Sequence, residues 1–139
     1  MKLLVTLDPD ALMPTRAHDT DAGLDLYARE DAVIPPGGFY RFNTGVHMAI
    51  PEGYAGFVKS KSGLMCKHGL VCDGVVDAGY AGAIHVALFN HGPEAVEIQR
   101  WQKIAQLVVL PVALCKLKLA NELLETERAD GGFGSTGAF

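Results

Sequence analysis

The sequence predicts an all-β protein, and three observations carry that prediction. Apolar or alternating runs are short, turn residues separate them at close spacing, and the runs are rich in β-branched or aromatic residues. The turn signals are "PPGG" at 35–38, "PEG" at 51–53, "HGP" at 91–93 and Pro111. Such a rhythm suits a sandwich or a barrel. At 139 residues the chain fits one domain with a real core, and 49% hydrophobic content argues against disorder.

The opening "MKLLVTLDPD" has one lysine and an apolar run too short for a signal-peptide core. "GFVKS" at 56–60, "AIHVALFN" at 83–90 and "KIAQLVVLPV" at 103–112 read as strands. Around "KSGLMCKHG" a short helix with Ser62 as its N-cap competes evenly with a loop. No internal repeat is visible, and the last dozen residues are Gly-rich enough for a flexible arm. The expected division is a β domain over 1–127 and an arm over 128–139.

Charge and cysteine use narrow the function. Twelve Lys+Arg against sixteen Asp+Glu give a net charge of -4, so no broad basic face offers itself to nucleic acid. Nothing approaches the ~18 apolar residues of a membrane span. Cys66, Cys72 and Cys115 are odd in number and make no C-x-x-C pair, so neither a disulfide framework nor a zinc site is expected. A reducing, cytoplasmic setting follows.

Five polar islands interrupt the runs. In "DTDAGLDLYA" Asp25 sits between Leu24 and Leu26, so in a strand it faces away from both. Taken alone, it reads as a solvated edge charge sooner than as a group in a metal's outer shell. In "KSKSGL", Lys61, Ser62 and Gly63 join a cation, a hydroxyl and an uncrowded backbone, which suits a phosphate if a helix starts there and a plain turn if not. In "GVVDAGYAG", Val75 and Val76 end a strand, Asp77 opens a turn, and Gly79 permits a tight hairpin before Tyr80. Asp77 is then either a backbone cap or a carboxylate that activates water beside an aromatic platform.

Gln106 breaks the apolar run "KIAQLVV" and must bond to backbone or ligand, backbone being the simpler partner. In "RADGGFGSTG", Arg128 offers a planar fork, Ser135 and Thr136 hydroxyls, and the glycines flexible N–H groups, while Phe133 offers a flat ring. These are parts of a lid over a nucleotide.

Together "DAGLDLYA", "KSGL", "GVVDAGYAG", "KIAQ" and "RADGGFGSTG" stand in the order and approximate spacing of the five motifs of the trimeric dUTPase family, and the resemblance spans residues 21 to 137. The Asp-x-x-Tyr-x-Gly segment and the fifth motif are its specific parts. The resemblance implies a jelly-roll-like β-clip barrel with a short helix and a Gly-rich arm, a homotrimer with shared active sites, and Mg²⁺-dependent cleavage of dUTP to dUMP and pyrophosphate.

Residue by residue, the resemblance gives Asp77 the activation of water and Tyr80 the packing on deoxyribose. The backbone from Gly74 through Val75 and Val76 to His85 becomes the uracil slot. Lys61, Ser62, Gly63 and Gln106 become phosphate partners, and Asp25 reaches the metal through water. Arg128, Gly134, Ser135 and Thr136 become the γ-phosphate clamp, and Phe133 stacks on uracil. The chain departs from the family pattern at Lys61 and Ala81, where arginine is usual, and at "RWQK", which replaces Gly-Asp-Arg. It also lacks an Asn before Asp77. The related dCTP deaminases centre on a Glu base, whereas this turn reads Asp-Ala-Gly-Tyr. A dUTPase-like regulatory protein is the non-enzymatic alternative.

Overall fold

Strand pairing explains how the sequence is folded. The computed structural model describes residues 1–139. Its elements are β1 (Val5–Leu7), β2 (Leu24–Tyr27), β3 (Ala32–Ile34), β4 (Phe39–Asn43), β5 (Val46–Met48), β6 (Tyr54–Ser60), α1 (Ser62–His68), β7 (Leu70–Val71), β8 (Asp73–Val76), β9 (His85–Asn90), β10 (Val96–Ile98) and β11 (Lys103–Pro111). The all-β expectation with one short helix holds: "GFVKS" lies within β6, and the other two segments read as strands contain β9 and β11.

All pairings are antiparallel. β2, β11, β6 and β8 form one sheet in that order, β4, β9 and β7 another, and β1 with β5 and β10 with β3 make two-stranded ribbons. The strands therefore do not close into one barrel. Several have only two to four residues, and the chain changes partner at each turn instead of extending one ladder.

Alternation then sorts the side chains. Across the four-stranded sheet Leu24, Leu107, Val58 and Gly74 lie in one register row, and Asp25, Gln106, Lys59 and Asp73 in the next. Residues in register share a face and adjacent rows take opposite faces, so the first row feeds the core and the second is polar. Leu26, Ile34, Phe42, Leu70, Ile84, Ile98, Ile104 and Leu107 are fully buried in that core. Asn90 is buried among them without an orphan atom. Its amide donates to the carbonyls of Ile34 and Glu94, and its oxygen accepts from Gly92 N–H.

Two local expectations need correction. Lys61, not Ser62, is the N-cap of α1, and no side chain caps the helix. Its C-terminus is stopped by Gly69 at φ 70°, whose N–H bonds back to Leu64 and Met65. The 74–82 segment is a turn between sheets, not a hairpin: β8 pairs with β6, while β9 pairs with β4 and β7. Gly79 does take φ 82°, and Tyr80 N–H closes the turn on the Asp77 carbonyl.

Between β10 and β11 the "RWQK" segment turns tightly. Trp101 adopts φ 66°, and its backbone N–H donates to the Ala28 carbonyl. Its indole N–H donates to the Asp10 carbonyl at 3.4 Å, and the Arg100 guanidinium lies 4.4 Å from the ring centre. Beyond Val112, which donates to Gly53, residues 113–139 form no strand or helix.

Candidate functional site

The end of β8 and the turn after it build a slot. Gly74, Val75, Val76, Asp77, Tyr80 and His85 line a cavity of about 240 Å³, together with Val58, Ala83 and Ile84. β8 stops at Val76 and β9 starts at His85, so residues 77–83 run outside any ladder. The Tyr80 hydroxyl donates to the Ala83 carbonyl at 2.9 Å. This folds the ring over Gly82, where an added Cβ would stand 2.4 Å from the phenol oxygen. Both the tyrosine and the final glycine of Asp-x-x-Tyr-x-Gly thus have a steric reason.

A second group gathers on the polar row of the large sheet. Asp25 is buried, contrary to its reading as a solvated edge charge, and its backbone N–H donates to the Thr15 carbonyl at 2.7 Å. Lys61 Nζ donates to Asp25 Oδ1 at 2.5 Å and Lys103 Nζ to Oδ2 at 2.8 Å. Burial, the largest influence on Asp25, would raise its pKa. The hydrogen bonds and charges of Lys103 and Lys61 together override it and hold the carboxyl below its ordinary range. The hydrogen bond that Lys103 donates to Asp25 in turn pushes Lys103 up.

The sequence reading missed Lys103, for a geometric reason. Lys103 and Gln106 are three residues apart, so simple alternation sends them to opposite faces. β11 carries a bulge, however. Lys103 pairs with Tyr27 and Gln106 with Asp25, three steps on β11 against two on β2. The extra residue turns Lys103 to the face of Asp25 and Gln106. Nothing local in "QKIAQ" marks it.

Gln106 bonds as expected to backbone, its amide donating to the Ser60 carbonyl at 3.0 Å. Gly23 makes room for it, since a Cβ there would stand 2.2 Å from Gln106 Oε1. Ser62 and Gly63 open α1, where the first N–H groups have no intrahelical acceptor.

The donors also bear on Mg²⁺. No three His, Cys, Asp or Glu side chains converge as a metal cage. Asp25 is the one carboxylate of this group, and both its oxygens accept from lysines, so any Mg²⁺ there would be held chiefly by substrate phosphates and its own waters.

The structure thus brings together Asp25, Lys61 and Gln106, and separately Gly74, Val75, Val76, Asp77, Tyr80 and His85. It does not bring Arg128, Phe133, Gly134, Ser135 or Thr136 to either group. Phe133 is fully exposed, and the hydrogen bonds of the arm stay within residues 126–137.

Comparison with known proteins gives the family. The model of the dUTPase family matches residues 10–137. The deoxyuridine 5'-triphosphate nucleotidohydrolase of Alkaliphilus metalliredigens is 42% identical over 91% of this chain and 90% of its own. That of Thermobifida fusca is 45% identical over 94% of this chain and 75% of its own. Among solved structures, a mutant dUTPase of Staphylococcus bacteriophage 80alpha with dUpNHpp superposes with a TM-score of 0.93 at 32% identity, covering 99% of both chains. A mutant dUTPase of S. aureus phage phi11, described with a structural Mg(II) ion, gives 0.83 at 31% identity, covering 88% of this chain and 98% of its own.

Proposed function

The chain belongs to the dUTPase family, and from that premise we propose that it hydrolyses dUTP to dUMP and pyrophosphate. This limits uracil incorporation into DNA and supplies dUMP for thymidylate synthesis. The observation that carries the reading is the slot bearing Asp77 and Tyr80 at the end of β8, in the sheet that also carries Gln106 and Asp25, the latter met by Lys61 and Lys103. At about 240 Å³ the slot lies below the ~300–1,000 Å³ of pockets that enclose a whole ligand, so it takes a base and leaves sugar and phosphates outside.

Each residue then has a task. Backbone groups from Gly74 to His85, Val75 and Val76 among them, read the uracil edge, and a base with another donor pattern leaves buried groups unpaired. Tyr80 packs on the deoxyribose where a 2′-hydroxyl would stand. Asp77 accepts a proton from the attacking water, whose oxygen bonds to the α-phosphorus while the bridging oxygen leaves with pyrophosphate. Lys61 and Gln106 with the Ser62 and Gly63 N–H groups hold phosphate oxygens. Asp25 faces the water shell of a triphosphate-borne Mg²⁺, which supplies charge neutralisation when bound.

The arm, residues 128–139, closes the site from a neighbouring subunit of a homotrimer, with Phe133 on the base and Arg128, Gly134, Ser135 and Thr136 on the γ-phosphate. Supporting this, Leu114, Leu117, Leu119, Leu123 and Leu124 are exposed on the single chain, an apolar strip suited to a neighbour. No helix is long and apolar enough to cross a membrane. The reading places the enzyme in the cytoplasm with no nucleic-acid partner.

The test is product analysis with dUTP, dTTP, dCTP and UTP, with and without EDTA. Pyrophosphate from dUTP, suppressed by the chelator, is expected. Orthophosphate, or ammonia from dCTP, would refute it.

A further inference from the structure

His47 in β5, Asp8 just beyond β1, and the Ala81 carbonyl form a cluster outside both parts of the site. His47 Nδ1 lies 2.8 Å from the Ala81 carbonyl oxygen, and Nε2 lies 2.9 Å from an Asp8 carboxylate oxygen. A carbonyl and a carboxylate only accept. Both contacts are therefore hydrogen bonds only when both ring nitrogens carry a proton, which is the imidazolium.

Ala81 follows Tyr80 directly, in the loop that closes the slot. Within residues 78–83, Tyr80 N–H bonds to Asp77 at the foot of the same turn and its hydroxyl to Ala83. The His47 contact to Ala81 is the hydrogen bond that ties this loop to another element. The loop also borders space twice. Tyr80 lines the slot and, with His47, Gly79 and Ala81, a second cavity of about 290 Å³. The next anchor along the chain is Ile84, whose N–H donates to Val46 and whose carbonyl accepts from Thr44.

We propose that His47, held by Asp8, is a positioning residue that latches the Tyr80 loop and so sets how closely Tyr80 packs on the sugar. This rests on the hydrolase reading above. The Ala81 carbonyl first, and then Asp8, push the His47 pKa above its ordinary value of 6.5. The charged groups nearby are Asp8 and, on its far side, Arg29, whose Nη1 is 3.7 Å from the other Asp8 oxygen. β5 carries no other ionisable side chain, and the second cavity adds only the Tyr80 phenol. Because the pKa is raised, the latch is complete below the ordinary histidine value and is lost as pH rises through the raised one.

The experiment measures kcat/KM for dUTP and UTP by pyrophosphate release from about pH 6 to 9, in the parent, His47→Gln and Asp8→Asn. The parent's preference for dUTP should fall as pH rises. His47→Gln, which cannot titrate, should show a preference lower by about three- to tenfold near pH 6 and flat with pH, on the scale of one charge-assisted hydrogen bond on a partly exposed loop. Asp8→Asn should move the fall to lower pH, and ring ¹⁵N shifts should show His47 doubly protonated below it. Parental turnover with an unaltered preference and pH profile in His47→Gln would overturn the latch alone. No pyrophosphate from the parent would overturn the hydrolase reading beneath it.

Discussion

Asp25→Asn should destabilise the protein through charge and not through shape. The Asp25 side chain is 6% exposed, and its two oxygens face Lys61 at 2.5 Å and Lys103 at 2.8 Å. The amide keeps the volume, but its nitrogen points hydrogens at one ammonium group and its oxygen accepts more weakly from the other. Breaking a wholly buried pair costs about 3–5 kcal/mol, and an exposed pair contributes about 0–1. Here the carboxylate is buried while Lys61 and Lys103 remain 30% and 44% exposed, so about 2–3 kcal/mol is expected. For a chain of this length that is a fall of about 6–12 °C in Tm.

Urea denaturation at fixed protein concentration measures it, because guanidinium salt would itself screen the charges. The pH dependence separates charge from shape. Asp25 has a depressed pKa, so its contribution is present above the unfolded value of about 3.9 and is lost as pH falls through the folded one. The gap between parent and variant should be widest at about pH 5–7 and should close below about 4. A gap that stays constant from neutral to acid pH would falsify the charge argument.

Three further outcomes are expected. Asp77→Asn should bind dUTP while losing roughly 10²-fold or more in kcat, read by calorimetry beside pyrophosphate release; near-parental kcat would move the base elsewhere. Gly23→Ala places a Cβ 2.2 Å from Gln106 Oε1, so it should lower stability by about 1–3 kcal/mol and raise KM for dUTP; an unchanged KM would remove Gln106 from phosphate binding. Deleting 128–139 should leave a folded but nearly inactive protein, since that segment supplies none of the buried core. Mixing it with Asp77→Asn under subunit exchange should restore some activity, and mixed oligomers that stay inactive would exclude an arm working in trans.

The sequence carried its local chemistry better than its long-range geometry. Alternation placed Asp25 opposite Leu24 and Leu26, and the structure puts it on the polar row. What alternation could not supply was its neighbours, since Lys61 lies 36 residues away along the chain. The dipeptide Lys61-Ser62 suggested a helix start, but which of the two is the cap depends on the backbone, with Lys61 still extended at φ -78°, ψ 127°. Asp77 and Tyr80 were legible together because a turn is local. That the strands on either side pair with different sheets was not, because hydrophobic pattern does not record which ladder a strand joins. His47 carried no signal, being one polar residue in a short strand whose partners come from Asp8 and Ala81.

The left-handed corner at Trp101 also gives the molecule a built-in optical label. It is the chain's one tryptophan, half exposed, beneath a guanidinium, and hydrogen-bonded to a residue 91 positions away. Its emission therefore reports a contact between distant parts of the chain, two residues before the lysine that touches Asp25. Because no other indole contributes, a stopped-flow trace at tryptophan wavelengths follows the closing of that one seam, free of signal averaged over the rest of the fold.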